Sequence, residues 1–211
     1  MKRLLLASIL SAAFSCASAE GTKQDPFVHG DAAAGGAKAA ACFACHGPNG
    51  NGAINPEWPK LAAQNASYID AQLKAFKAGH RKNPVMLGQA SALSEDDMRN
   101  LAAFFASQPA VPGVASPDAV KVAEKLYRGG DSSRGLPACS GCHGPQGLGN
   151  EAAAFPRIAG QNSGYVVNQL KAYASGDRGG SVAKGKMMQA VASKLTADEI
   201  AALSSYVSGL Q

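Results

Sequence analysis

The sequence predicts an all-α protein made of two tandem helical units. Three observations lead there. A long stretch of the first half recurs in the second, the mark of an internal duplication. Apolar residues recur at helical spacing, with no convincing strand alternation. A proline-rich segment separates the two copies, as a linker does.

The duplication is clearest at Cys42-Phe43-Ala44-Cys45-His46-Gly47-Pro48. This matches Cys139-Ser140-Gly141-Cys142-His143-Gly144-Pro145 at an offset of 97 (Cys42 to Cys139). The same offset pairs Pro59-Lys60-Leu61-Ala62-Ala63-Gln64-Asn65 with Pro156-Arg157-Ile158-Ala159-Gly160-Gln161-Asn162. It also pairs Tyr68 with Tyr165, Gln72 with Gln169 and Arg81 with Arg178. The offset then becomes 102 (Leu93 to Leu195), so the second copy holds five extra residues between Arg178 and Leu195. The expected organisation is a leader over 1–19, an N-terminal domain over 20–108, a linker over 109–117 and a C-terminal domain over 118–211.

Each helix has a local reason. Asp31 to Ala44 is Ala-rich and runs into the first CxxCH motif. Pro117-Asp118 opens a similar stretch through Tyr127, which Arg128-Gly129-Gly130 should interrupt. Tyr68 to Lys77 and Tyr165 to Tyr173 are amphipathic, with Ile69, Leu73 and Phe76 on the apolar face of the first. Ser94 is a predicted N-cap, and Glu95, Asp96 and Asp97 after it favour a helix N-terminus. Met98, Leu101, Ala102 and Phe105 then recur at helical spacing. Thr196 and Glu199 form a predicted capping box, followed by Ile200, Leu203 and Val207 as an inner face.

Charged residues make up 17% and hydrophobic residues 46%, a globular composition. Aromatic residues are only 6%, and two domains this small have thin cores when built from protein alone. A large apolar group in each core would supply the missing contact area. The net charge is +5, part of it in Met1-Lys2-Arg3. An apolar run from Leu4 to Phe14 follows, then Ala17-Ser18-Ala19. Together these read as an export signal with Glu20 as the first mature residue and the periplasm as the destination. The run is too short to span a bilayer. Ala13-Phe14-Ser15 is a poor lipobox, so Cys16 is expected to leave with the leader. No long Lys/Arg run or aromatic-interleaved basic stretch occurs, so nucleic acid is not an expected partner.

The four remaining cysteines, Cys42, Cys45, Cys139 and Cys142, all lie in CxxCH motifs. That motif attaches haem c: two thioether bonds hold the macrocycle, and the adjacent histidine reaches the iron. Two copies in register predict two covalent haem c groups, with His46 and His143 as proximal ligands. A thioredoxin-like dithiol would need a βαβ setting. A zinc site would need further Cys or His ligands in each repeat, and His29 and His80 supply none in the second half.

The sixth ligand should obey the repeat. His80 falls on Asp177 and fails, so it is expected on a surface loop. Met98 lies on an apolar helix face and is expected in the core. Met86 stands seven residues before Leu93, and Met188 stands seven before Leu195, whereas Met187 stands eight before it. The register therefore favours Met86 and Met188, with Lys184 and Lys186 as weaker alternatives. Histidine–methionine ligation closes both iron faces and favours outer-sphere electron transfer. Pro59 and Pro156 each follow their haem histidine by thirteen residues, and a carbonyl there would fix the histidine ring. Gln64, Gln161, Tyr68 and Tyr165 read equally as haem-propionate partners or as packing residues. Trp58 and Phe155 read as packing.

Two CxxCH…Met units joined head to tail resemble the dihaem cytochrome c4 family. The resemblance is strongest at Tyr127-Arg128-Gly129-Gly130, Pro137 to His143, Phe155 to Gln161 and Ala202 to Tyr206. It implies two tandem cytochrome c-like domains, each wrapped around one covalent haem, with His46/Met86 and His143/Met188 as axial pairs. It also implies periplasmic electron transfer between an upstream quinol-oxidising complex or dehydrogenase and a haem-copper terminal oxidase. Free and peripherally membrane-associated residence both fit. No catalytic constellation is recognisable, so an electron carrier is expected rather than an enzyme. The alternatives are a haem subunit docked on a dehydrogenase and, less favoured, a dihaem peroxidase.

Overall fold

The structure, a computed structural model, describes residues 29–211 except 53 and 181. The expected leader, Cys16 and Glu20 lie outside the described residues. The N-terminal half runs α1 (Ala32–Lys38), α2 (Ala40–His46), α3 (Ala66–Lys77), α4 (Pro84–Ser91) and α5 (Glu95–Ser107). The C-terminal half runs α6 (Pro117–Gly129), α7 (Ser140–His143), α8 (Ser163–Ser175), α9 (Ala183–Ala192) and α10 (Ala197–Gly209). Among the described residues, extended pairing is limited to two isolated bridges, Asp131 with Leu136 and Asn150 with Phe155. No described helix is long and apolar enough to cross a membrane.

The two halves repeat one packing plan. α1 packs on α5 as α6 packs on α10, and α3 joins α5 to α4 as α8 joins α10 to α9. The first crossing needs a glycine. A Cβ on Gly35 would lie 2.0 Å from the Asn100 carbonyl oxygen and 2.9 Å from the Phe104 Cβ. Gly35→Ala is therefore expected to push the helices apart and cost about 1–3 kcal/mol, read by thermal denaturation. The N-terminal core gathers Ala39, Ala66, Ile69, Leu101, Ala102 and Phe105. Phe43, Phe104 and Phe105 pack as an aromatic trio beside it, with Phe105 edge-on to the other two rings. The C-terminal core gathers Ala123, Leu126, Tyr127, Leu136, Leu203, Tyr206 and Val207. Met98 is 1% exposed and belongs to the core, as its place on α5 predicts.

Both predicted helix starts hold. The Ser94 hydroxyl accepts from the Asp97 amide, and the Asp97 carboxylate accepts from the Ser94 amide. Thr196 and Glu199 exchange the same pair of bonds. Three details differ from expectation. The first helical stretch breaks at Ala39 into α1 and α2. α6 runs through Arg128 to Gly129 and stops only where Gly130 takes φ 66°. α4 and α9 are helices that the apolar pattern did not reveal. For α4 the signal was present: Asn83 caps the helix and Pro84 takes its first position.

Two aspartates set an acid limit. The Lys38 ammonium, with help from Ser94, holds Asp97 at about 2. Ser133 and Arg134 hold Asp131 at about 2. Both values lie below the ordinary 3.8, so the folded state favours the charged forms. Their stabilisation is complete above pH 3.8 and is lost as pH falls towards 2. The thermal midpoint should fall through that window, with a shallower slope in Asp97→Asn.

The halves meet through residues that the repeat places in register, so the contact has an internal two-fold character. The Gln64 amide binds the Arg157 backbone at both its NH and its carbonyl, each 2.8 Å away. Gln161 does the same to Lys60, at 2.8 and 2.9 Å. Asn65 donates to the Phe155 carbonyl, and Asn162 donates to the Trp58 carbonyl. Arg81 donates to the Tyr165 hydroxyl, and Arg178 donates to the Tyr68 hydroxyl. The linker is tied down: Gly113 and Ser116 donate to Ser208 and Ser205 of α10.

Candidate functional site

α2 ends on His46 and α7 ends on His143. Both rings are buried, at 8% and 7% exposure. His46 Nδ1 lies 2.8 Å from the Pro59 carbonyl oxygen, and His143 Nδ1 lies 2.9 Å from that of Pro156. A carbonyl only accepts, so each Nδ1 carries the proton and each Nε2 keeps its lone pair. Burial also pushes both imidazoles below their ordinary pKa. The rings are thus neutral and oriented, the state a metal ligand needs. The chain turns away after each histidine at Gly47 (φ 75°) and Gly144 (φ 78°), a backbone angle that favours glycine. Tyr127 braces the second turn by donating to the Gly144 carbonyl at 2.6 Å.

Cys42 and Cys45 lie on α2, Cys139 caps α7 and Cys142 lies within it. None forms a disulfide. Burial raises the Cys42 thiol above its ordinary value and pushes Cys139 up to about 11. A redox dithiol needs the opposite shift, towards thiolate. Among the described residues no cluster of three or more His, Cys, Asp or Glu side chains is placed to hold a metal ion.

The candidate ligand methionines sit on the two helices that the apolar pattern missed. Met86 lies in α4 and Met187 and Met188 in α9. Ala90 and Ala192 are both 0% exposed, and they share the offset of 102 (Ala90 to Ala192). Each anchors the inner face of its helix. Met86 and Met188 stand four residues earlier, one turn back on that face, and both are half-buried. Met187 points outward at 50% exposure. Lys184 and Lys186 are exposed, as is His80. In the longer second copy Gly179, at φ 98°, passes Gly185 so closely that a Cβ would lie 2.7 Å from its carbonyl oxygen.

Two further observations test whether a haem fits. First, α8 is central to its half yet contains no buried residue. Val166, Leu170 and Tyr173 are only half-buried there, so the helix presents apolar surface that protein leaves uncovered. Second, Arg81 and Arg178 share one cluster with Tyr68, Tyr165, Gln72 and Gln169. Arg178 is only 7% exposed. Among the described residues neither guanidinium has a carboxylate partner. Two neighbouring cations call for anions, a need that haem propionates would meet. The donor set, the uncovered apolar helix and the unpaired guanidiniums therefore all fit a haem in each half. Gln64 and Gln161 take a role the sequence did not suggest: their amides are committed to the opposite half's backbone. Trp58 is 39% exposed rather than packed inside, while Phe155 lies 6.4 Å from the His143 ring.

Two helical halves, each with a CxxCH helix that ends on a buried, carbonyl-oriented histidine and a second helix that carries a half-buried methionine, define a dihaem c-type cytochrome. Comparison with known proteins agrees. The cytochrome c family profile matches residues 32–109 and 129–211. Cytochrome c4 of Azotobacter vinelandii is 45% identical over 190 residues, covering 86% of this chain and 90% of the relative. Cytochrome c4 of Pseudomonas aeruginosa is 46% identical over 181 residues, covering 86% and 89%. The crystal structure of reduced recombinant cytochrome c4 from Pseudomonas stutzeri superposes with a TM-score of 0.83 at 43% identity, covering 87% of this chain and all of that one. The chain belongs to the cytochrome c4 family. It is an electron-transfer protein with two covalent haem c groups, not an enzyme.

Proposed function

We propose that the chain works in the periplasm, after removal of residues 1–19, and passes electrons toward a haem-copper terminal oxidase. An upstream quinol-oxidising complex or dehydrogenase would reduce it. In this reading residues 20–108 and 118–211 form the haem domains, joined by 109–117. Cys42 and Cys45 attach one haem and Cys139 and Cys142 the other. His46 with Met86, and His143 with Met188, are the axial pairs. Haem supplies the one-electron chemistry. The protein orients each histidine through a proline carbonyl, and Met86 and Met188 would each offer a thioether as the second iron ligand.

The observation that supports this reading is a matched set: two half-buried methionines, each one turn before a fully buried alanine, and two buried histidines oriented by proline carbonyls. Such ligation leaves no coordination position for a substrate and needs little rearrangement on electron transfer. The symmetric contact between the halves keeps the two redox centres in a fixed relation.

The test mixes the reduced protein with membranes containing a haem-copper oxidase. Rapid reoxidation coupled to oxygen uptake is expected. A protein that stays reduced there, yet purifies from its host in a stable complex with a dehydrogenase, would instead be a docked haem subunit.

A further inference from the structure

The proximal histidines are not oriented by their own halves alone. The Pro59–Lys60 peptide group has two polar atoms. Its oxygen accepts from His46 Nδ1 at 2.8 Å. Its N–H donates to Oε1 of Gln161, in the other half, at 2.8 Å. The Pro156–Arg157 peptide repeats this. Its oxygen lies 2.9 Å from His143 Nδ1, and its N–H donates to Gln64 Oε1 at 2.8 Å. The orientation of both amides is fixed, because each Nε2 donates to the following carbonyl, of Lys60 or Arg157. Both glutamines are nearly sealed from water, at 7% and 8% exposure.

We propose that Gln161 and Gln64 are crossed positioning residues, each strengthening, through one shared peptide group, the hydrogen bond made by the other half's proximal histidine. This rests on the reading of His46 and His143 as haem ligands. The physics is cooperative polarisation. A peptide whose N–H donates to a good acceptor holds more negative charge on its oxygen. A stronger acceptor at Nδ1 makes the ligating imidazole more basic. A more basic ligand favours ferric iron, so each glutamine lowers the reduction potential of the opposite haem. Low polarity around the buried chain strengthens the effect. The docking of the halves thereby enters the potential of both centres.

The test uses the full dihaem protein and five single variants. Met86→His and Met188→His assign each measured potential to its half by the large drop each causes. Gln161→Met keeps the side-chain size but removes the acceptor. It is expected to raise the potential of the His46 haem and leave the His143 haem unmoved. Gln64→Met should do the reverse. In the reduced protein the Nδ1–H proton resonance of the opposite histidine should move upfield, as a weaker hydrogen bond requires, while the same half's histidine stays put. Gln161→Glu retains an oxygen for the Lys60 N–H and covers the case of a poorly folding Met variant. It should hold the His46 haem at or below its original potential. Equal movement of both haems, movement of the variant's own haem, or unchanged potentials and proton resonances would overturn the proposal. If Met86→His and Met188→His cause no drop, the methionine assignment fails, and the Nδ1–H resonances of His46 and His143 in the Gln variants then decide the relay by themselves. A normal drop beside unmoved Gln variants overturns the relay alone.

Discussion

Replacing Cys139 and Cys142 by alanine is expected to remove one covalent haem and to unfold the C-terminal half, a larger loss than Cys42 and Cys45 replacement causes. The asymmetry comes from the central helices. α3 buries Ala66, Ile69 and Phe76 against protein, whereas α8 buries nothing. The apolar surface of α8 therefore depends on a haem for its cover, at roughly 25 cal/mol for each Å² removed from water. A domain this small has little other stability to draw on. Haem content per chain should fall from two to one in either double variant. Helical circular dichroism should fall by about half in the Cys139/Cys142 variant and by clearly less in the Cys42/Cys45 variant. Equal losses would show that α8 is held by something other than haem.

The second large effect concerns the adjacent methionines. Met188→Ala should abolish the far-red methionine–iron band of the C-terminal haem and lower its potential by more than about 0.1 V, within the roughly 0.8 V that axial ligands span. Met187→Ala should change neither, because that side chain is half exposed on the outer face of α9. The reason is register. Met188, like Met86, lies one turn before a fully buried alanine, and only that position faces inward. Loss of the band in Met187→Ala and not in Met188→Ala would reverse the assignment.

Much of this was legible in the chain itself. CxxCH is local chemistry, and its spacing cannot be disguised. The helix starts at Ser94 and Thr196 rest on side chains three residues apart, so pattern alone locates them. The shift from 97 to 102 (Cys42 to Cys139, then Leu93 to Leu195) locates the insertion, and the second offset relates the buried Ala90 of α4 to the buried Ala192 of α9. The interface was not legible. Gln64, Gln161, Tyr68 and Tyr165 stood out as repeated polar residues, but repetition says nothing about which half a side chain reaches. Their partners lie 84 to 110 residues away, and only the folded duplication brings them together. α4 was missed for a different reason. Its bulky apolar residues Val85 and Leu87 are exposed, so they do not mark the face that Met86 and Ala90 share, and the periodic signal that marks α5 is weak there.

The most direct test of the central claim is the near-infrared and electron paramagnetic resonance spectrum of the fully oxidised protein, with haem content fixed at two per chain. Two low-spin ferric centres are expected, with methionine–iron charge-transfer absorption at full strength for both. A high-spin fraction approaching one haem, or charge-transfer intensity for only one centre, would contradict the account. An open iron would then stand where two closed electron-transfer sites are described.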